Sequence, residues 1–211
     1  LITHKDLKDY SSKYREPIVG LYKGYKVISM GPPSSGGVLL VNMLNMLENF
    51  DLETLGWNSS GYVHLLTEVE RRAYADRSEH LGDPDFWRIP ISMLTSKEYA
   101  KNRMKTFSKE QATLSTDISA SKNIYNESIE TTHYSVVDKL GNAVSVTTTI
   151  NLNYGSGIIV EGAGFFLNNE MDDFSSKPGV PNVFGLIGNE ANAIEPNKRP
   201  LSSMTPTIIL K

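Results

Sequence analysis

The alternation of apolar and polar positions divides the chain into a helix-rich first part and a strand-rich second part, with the change near residue 131. Thr3 and Asp6 have the spacing of a capping box, which predicts a short surface helix over 4–13. Two apolar runs, 18–22 and 25–30, flank Lys23-Gly24, and glycine there supplies the positive φ of a hairpin turn. Pro32-Pro33-Ser34-Ser35-Gly36-Gly37 reads as a loop. The run 38–47 that follows is apolar nearly all round, which predicts a buried helix. A longer helix is predicted over 61–81, with Ser59 or Ser60 as N-cap and Gly82 as stop. Val63, Leu66, Val69, Ala73 and Ala75 mark its expected buried face.

Residues 108–130 are polar and rich in Ser and Lys, which predicts an exposed segment. Beyond it, 132–138 and 143–150 are rich in strand formers and flank Lys139-Leu140-Gly141-Asn142, a hairpin signal. Segments 165–167 and 205–210 are further strand candidates.

Composition narrows the function classes. A length of 211 residues suits one large domain or two small ones. With 39% hydrophobic and 21% charged residues, the chain is neither collagen, nor an acidic disordered tail, nor a disulfide miniprotein. Lys plus Arg is 21 against 24 Asp plus Glu, a net charge of −3, so a basic footprint for nucleic acid is absent. The absence of Cys removes disulfides, zinc–thiolate sites and a cysteine nucleophile, without fixing the compartment. No run approaches the roughly 20 apolar residues of a membrane-spanning helix. The chain starts Leu1-Ile2-Thr3 with no leader pattern and stops within the apolar run 208–210. Both ends predict a piece of a longer protein.

The four His residues, at 4, 64, 80 and 133, form no metalloprotease pair. Glu170-Met171-Asp172-Asp173 lacks the ligand spacing of a calcium loop. A solvated turn, an ammonium-binding carboxylate and a metal role all remain for it. Ser34-Ser35-Gly36-Gly37 enters a helix whose N-terminus would suit an anion, but no phosphate-loop Lys follows, and a structural tight turn is the simpler account. Thr131 and Thr132 stand at a loop-to-strand boundary, where Thr is common for strand reasons alone. Their chemistry is nonetheless coherent. A Thr hydroxyl attacks the carbonyl before it, an ester forms, and hydrolysis frees the Thr α-amino group. That amine, with a reference pKa of about 7.7–8.0, then serves as base for its own hydroxyl.

Longer motifs add to this. Thr131-Thr132-His133-Tyr134-Ser135-Val136-Val137-Asp138 and Gly162-Ala163-Gly164-Phe165-Phe166-Leu167-Asn168-Asn169-Glu170-Met171-Asp172-Asp173-Phe174 closely resemble the γ-glutamyltranspeptidase family. So do Lys177-Pro178-Gly179-Val180-Pro181-Asn182 and Pro196-Asn197-Lys198-Arg199-Pro200-Leu201-Ser202-Ser203-Met204-Thr205-Pro206-Thr207. Pro33-Ser34-Ser35-Gly36-Gly37 and the stretch from Tyr74-Ala75-Asp76-Arg77 to Gly82-Asp83-Pro84 are similar to it as well. The resemblance implies an α+β fold, the N-terminal-nucleophile hydrolase αββα four-layer sandwich, of which this chain is a part. It implies a precursor that cuts itself between Glu130 and Thr131. Residues 1–130 would then be the C-terminal part of a large subunit, and 131–211 the N-terminal part of a small one.

Site roles follow from the same resemblance. Thr131 would be the nucleophile, with Thr149 assisting its activation. Asn151, Glu170 and Asp173 would hold the α-amino end of a γ-glutamyl group, and Ser202 and Ser203 its α-carboxylate. The charge types agree, since an ammonium takes carboxylate and amide oxygens and a carboxylate takes hydroxyl donors. Residues 178–189 match a lid loop of bacterial members. Phe184 stands there in place of the usual Tyr, so a hydroxyl bond from the lid to Asn151 is lost. A carboxylate-clamping arginine and an oxyanion-hole Gly-Gly pair would lie outside this chain. The implied reaction cleaves the γ-glutamyl amide of glutathione or related donors, with hydrolysis or transfer to an amino acid or peptide. It needs no metal or organic cofactor. The implied partners are those small molecules and the remaining segments of the same subunits, in the periplasm or outside the cell. Three alternatives stay open: a glutaryl-type acylase, a polyglutamate-cleaving relative, and a non-catalytic binding module.

Overall fold

The computed structural model describes residues 2–118, 131–177, 179–183, 185 and 187–211. The capping box is formed: Thr3 Oγ1 accepts from Asp6 N at 3.3 Å, and the Asp6 carboxylate accepts from Thr3 N at 2.7 Å. The helix it opens, α1 (His4–Asp9), stops short of residue 13 because it buries no side chain that would extend it. Strands β1 (Ile18–Tyr22) and β2 (Tyr25–Ser29) form the expected hairpin. Lys23 and Gly24 take φ of 46° and 85°, the turn whose twist matches paired strands.

Helix α2 (Gly36–Leu47) packs on β1, where Gly20 lets the Val41 methyls approach to 2.7 Å of a would-be Cβ. After the single turn α3 (Leu52–Leu55) comes the long helix α4 (Ser60–His80), capped by Ser59 Oγ on Tyr62 N at 3.1 Å. Helices α5 (Ile91–Leu94) and α6 (Lys97–Arg103) close the core. It gathers Val38, Leu39, Val41 and Met46 with Leu65, Val69, Ala73, Leu94 and Ala100.

Two expectations about α4 need correction. Gly82 is not its stop: Leu81 ends the helix in an extended conformation. Gly82 instead permits a close approach, since a Cβ there would lie 2.1 Å from the Ala191 carbonyl oxygen. The buried face is also less apolar than expected. Val69, Ala73 and Ala75 are buried, but Val63 is exposed, and Glu68, Arg72, Asp76 and Arg77 go inside. Glu68 and Arg72 pair at 2.6 Å with each side chain only 1% exposed. Such a pair needs further partners to offset its desolvation. Thr113 Oγ1 donates to Glu68 at 2.5 Å, and Arg72 donates to Thr106 and Thr113 hydroxyls at 3.0 Å. The start of 108–130 is therefore anchored rather than exposed throughout, and Ile118 of α7 (Ser115–Ile118) is buried.

A second hairpin follows, β3 (Thr132–Val137) with β4 (Ala143–Thr148), in a register that sets Thr132 opposite Thr148. Asp138 holds its turn by accepting from Leu140 N and Asn142 N, both at 2.8 Å. Of the two further strand candidates, Phe166 makes an isolated bridge with Ile159, and β5 (Thr207–Leu210) is a full strand. β5 pairs antiparallel with β2, so one sheet of order β1-β2-β5 draws strands from both sides of residue 131. No helix of the described residues is long and apolar enough to cross a membrane.

Candidate active site

Thr131 immediately precedes β3, and Thr149 immediately follows β4. The hairpin register therefore sets the two side by side, and Thr131 Oγ1 donates to Thr149 Oγ1 at 3.4 Å. Thr149 Oγ1 also accepts from Asn151 N at 2.9 Å. Asn151 adopts a left-handed φ of 76°, a conformation Asn tolerates better than most residues. Its side chain turns inward as a result, to 8% exposure. Its Nδ2 donates to Asn169 O at 3.4 Å and to Asp173 Oδ1 at 3.5 Å. A line of contacts thus runs from Thr131 through Thr149 and Asn151 to Asp173.

Asp173 and Glu170 share one short 3-10 turn, Glu170–Asp173. Burial, with the Glu170 charge adding to it, pushes the Asp173 carboxyl up to about 6, against the opposing pull of Arg77. Burial raises Glu170 too. Two acids that resist ionisation in a partly buried place are stabilised by an incoming cation. Among the described residues, no group of three His, Cys, Asp or Glu is placed to hold a metal ion.

The serine pair sits on a clamped backbone. Ser202 N donates to Pro33 O at 2.9 Å, and Ser202 O accepts from Ser35 N at 2.8 Å and Ser35 Oγ at 2.9 Å. Ser34-Ser35-Gly36-Gly37 is thus the structural turn that holds the 202–205 segment. A Cβ on Gly36 would lie 2.2 Å from Thr205 Oγ1 and 2.7 Å from Met204 O. Upstream, buried Asp83 accepts from Arg199 N at 2.8 Å. Ser203 is exposed, and its Oγ accepts from Arg77 Nη2 at 3.4 Å.

Of the residues named from sequence, the structure therefore joins Thr131, Thr149, Asn151 and Asp173 directly and sets Glu170 on the same turn. Asn192 links this group to Ser202 and Ser203: its Nδ2 donates to Asp173 O at 2.7 Å, and its Oδ1 accepts from Leu201 N at 3.0 Å. Glu130 and Phe184 lie outside the described residues. Sequence reasoning passed over Arg77, Asn192, Ser35 and Asp83 as individual residues. A signal existed for Arg77, which falls four and eight residues after Ala73 and Val69 on the same buried helical face. Asn192 carries none, because an isolated Asn in a loop looks like any turn residue.

The gamma-glutamyltranspeptidase family model matches residues 1–211. The glutathione hydrolase proenzyme of Escherichia coli (strain K12) is 54% identical over 211 residues, covering 100% of this chain and 36% of that protein. The acylase ACY 1 proenzyme of Pseudomonas sp. (strain SE83) is 40% identical, covering 100% of this chain and 35% of the relative. Among solved structures, Helicobacter pylori gamma-glutamyltranspeptidase superposes with a TM-score of 0.53 at 47% identity, over 55% of this chain and 33% of that one. Cephalosporin acylase from Bacillus halodurans shares the fold over the whole chain, with a TM-score of 0.76 at 24% identity and 35% of its own length covered. The chain spans about a third of the length of the curated relatives it matches. Its α+β fold is part of the N-terminal-nucleophile hydrolase sandwich, and the chain belongs to the gamma-glutamyltranspeptidase family.

Proposed function

We propose that this chain carries the nucleophile and half the donor site of a self-processing γ-glutamyltranspeptidase. The observation that carries the reading is the unbroken line from the Thr131 hydroxyl to a partly buried acid pair, Thr131–Thr149–Asn151–Asp173. In processing, Thr131 Oγ1 adds to the Glu130 carbonyl and the peptide becomes an ester. Water cleaves that ester, leaving Glu130 as a new C-terminus and Thr131 as a new N-terminus, so that 1–130 and 131–211 fall in different subunits. In turnover, the freed Thr131 amine takes the proton of the Thr131 hydroxyl. Thr149 fixes the hydroxyl's direction. The oxygen attacks the γ-carbonyl of the donor, the amine leaving group departs with a proton, and a γ-glutamyl ester forms on Thr131. Water releases glutamate, or an amino acid or peptide amine takes the acyl group.

Asp173, with Asn151 and Glu170, receives the donor α-ammonium, and Ser202 and Ser203 receive its α-carboxylate. Each charge-assisted bond contributes about 1.5–3 kcal/mol, enough to fix which carbonyl faces Thr131. The acid pair also separates this reading from that of an acylase, since a glutaryl group offers it no ammonium. Glutathione is the donor class, and the protein is periplasmic or secreted. The test is an acid-quenched incubation of the full-length protein with a γ-glutamyl donor, followed by peptide mass analysis. A glutamyl adduct on the peptide that begins at Thr131 supports the proposal. Donor turnover with the adduct elsewhere contradicts it, and an adduct from glutaryl donors alone would move the reading to the acylase.

A further inference from the structure

Arg77 is a buried arginine, 6% exposed, projecting from the last turn of α4. Its guanidinium forks. Nε donates to Ser35 Oγ at 3.2 Å, and Nη2 donates to Ser203 Oγ at 3.4 Å. Ser35 Oγ passes the contact on by donating to Ser202 O at 2.9 Å. One side chain on a rigid helix therefore holds both members of the serine pair, Ser203 by its hydroxyl and Ser202 by its main chain. The donor logic is directional. Arginine has donors only, so Ser203 Oγ must accept from it, and the Ser203 proton is then directed to another acceptor. A carboxylate is such an acceptor.

We infer that Arg77 is the positioning residue of the α-carboxylate pole: it presents the Ser203 hydroxyl as a donor and fixes the Ser202 backbone through Ser35. The inference rests on the γ-glutamyl reading of the site and adds to it a residue that works through the serines. A lysine cannot replace the arginine, because a single ammonium cannot span both hydroxyls with the planar fork.

The test measures the full-length enzyme with γ-glutamyl-p-nitroanilide and with 4-aminobutyryl-p-nitroanilide, which lacks only the α-carboxylate. The readout is the ratio of the two kcat/KM values, which a loss of folded protein lowers equally in both and so leaves unchanged. Arg77→Lys and Arg77→Gln should each lower the ratio by about 10- to 100-fold, mainly through KM for the carboxylate-bearing donor. Ser203→Ala should lower it as well, and adding Arg77→Lys to Ser203→Ala should lower it less than Arg77→Lys does alone. A ratio that falls with Ser203→Ala but stays at the parent value in Arg77→Lys overturns this inference and leaves the site reading standing. A ratio unmoved by Ser203→Ala and by Ser202→Ala overturns the carboxylate reading itself. If neither arginine variant folds, Ser35→Ala decides: it cuts only the relay to Ser202, a lowered ratio supports the inference, and an unchanged one overturns it.

Discussion

The side-chain amide of Asn192 donates to the main-chain carbonyl of Asp173 at 2.7 Å. The same side chain accepts from Leu201 N at 3.0 Å, and Asn192 itself is 4% exposed. One buried residue thus spaces the turn that carries the acids from the segment that carries the serines. Asn192→Ala leaves a buried N–H and a carbonyl without this partner, a loss of about 1–3 kcal/mol per group. The expected outcome is a lower Tm together with a raised KM for γ-glutamyl donors, measured on the full-length protein. Asn192→Asp restores the acceptor for Leu201 N but not the donor to Asp173, and should recover only part of both.

Acidification should weaken donor binding through Asp173. On the proposed reading, the donor ammonium is held only while this carboxyl is ionised, and burial with the neighbouring Glu170 charge pushes it up to about 6. KM for a γ-glutamyl donor should therefore rise as pH falls through that value, and Asp173→Asn should start from a higher KM and show a flatter profile. The stability sign is opposite. The folded pKa lies above the ordinary aspartate value, so the folded state holds a proton that the unfolded chain releases. This carboxyl therefore favours folding below about pH 4, and its contribution is lost as pH rises to about 6. Thermal melts of the parent and Asp173→Asn across that window check it.

Gly36→Ala should disturb the serine segment without touching the acids. The added methyl would meet Thr205 Oγ1 at 2.2 Å and Met204 O at 2.7 Å, so the 202–205 backbone must move. Overpacking of this kind costs about 1–3 kcal/mol. Denaturant unfolding should show that loss, and KM should rise more for a carboxylate-bearing donor than for one without it.

The buried Glu68–Arg72 pair makes a prediction about stability alone. Arg72→Met removes one of the two guanidinium partners of Glu68, leaving it Arg71 and the Thr113 hydroxyl, and should destabilise the protein by less than the about 3–5 kcal/mol of a fully stranded buried charge, whereas Glu68→Gln combined with Arg72→Met should recover part of the loss. Urea unfolding of the three variants, followed by Trp fluorescence, separates these outcomes.

The sequence signals that worked were local ones. Thr3 and Asp6, Lys23 and Gly24, and Ser59 each fix a cap or turn within a few residues, and each appears in the structure as expected. The line from Thr131 to Asp173 was legible only as a set of family-like motifs, because nothing local ties residue 131 to residue 173. What stayed hidden depends on packing between distant segments. The pairing of β2 with β5 joins residues 26–29 to 207–210. Gly82 looked like a helix stop and is a contact with Ala191. The polar stripe of α4 broke the apolar pattern, since Glu68, Arg72, Asp76 and Arg77 are buried among their own partners rather than in solvent. Pattern reasoning assigns charged positions to the outside, and here ion pairs and hydrogen bonds reverse it.

On the proposed reading, Thr131 cuts the chain before itself and then serves as nucleophile. The most direct measurement is denaturing intact mass of the full-length protein and of its Thr131→Ala variant. The parent should give two polypeptides, one beginning at Thr131, and the variant a single uncut polypeptide. A folded parent that stays uncut, or a variant that is cut at the same bond, would contradict it.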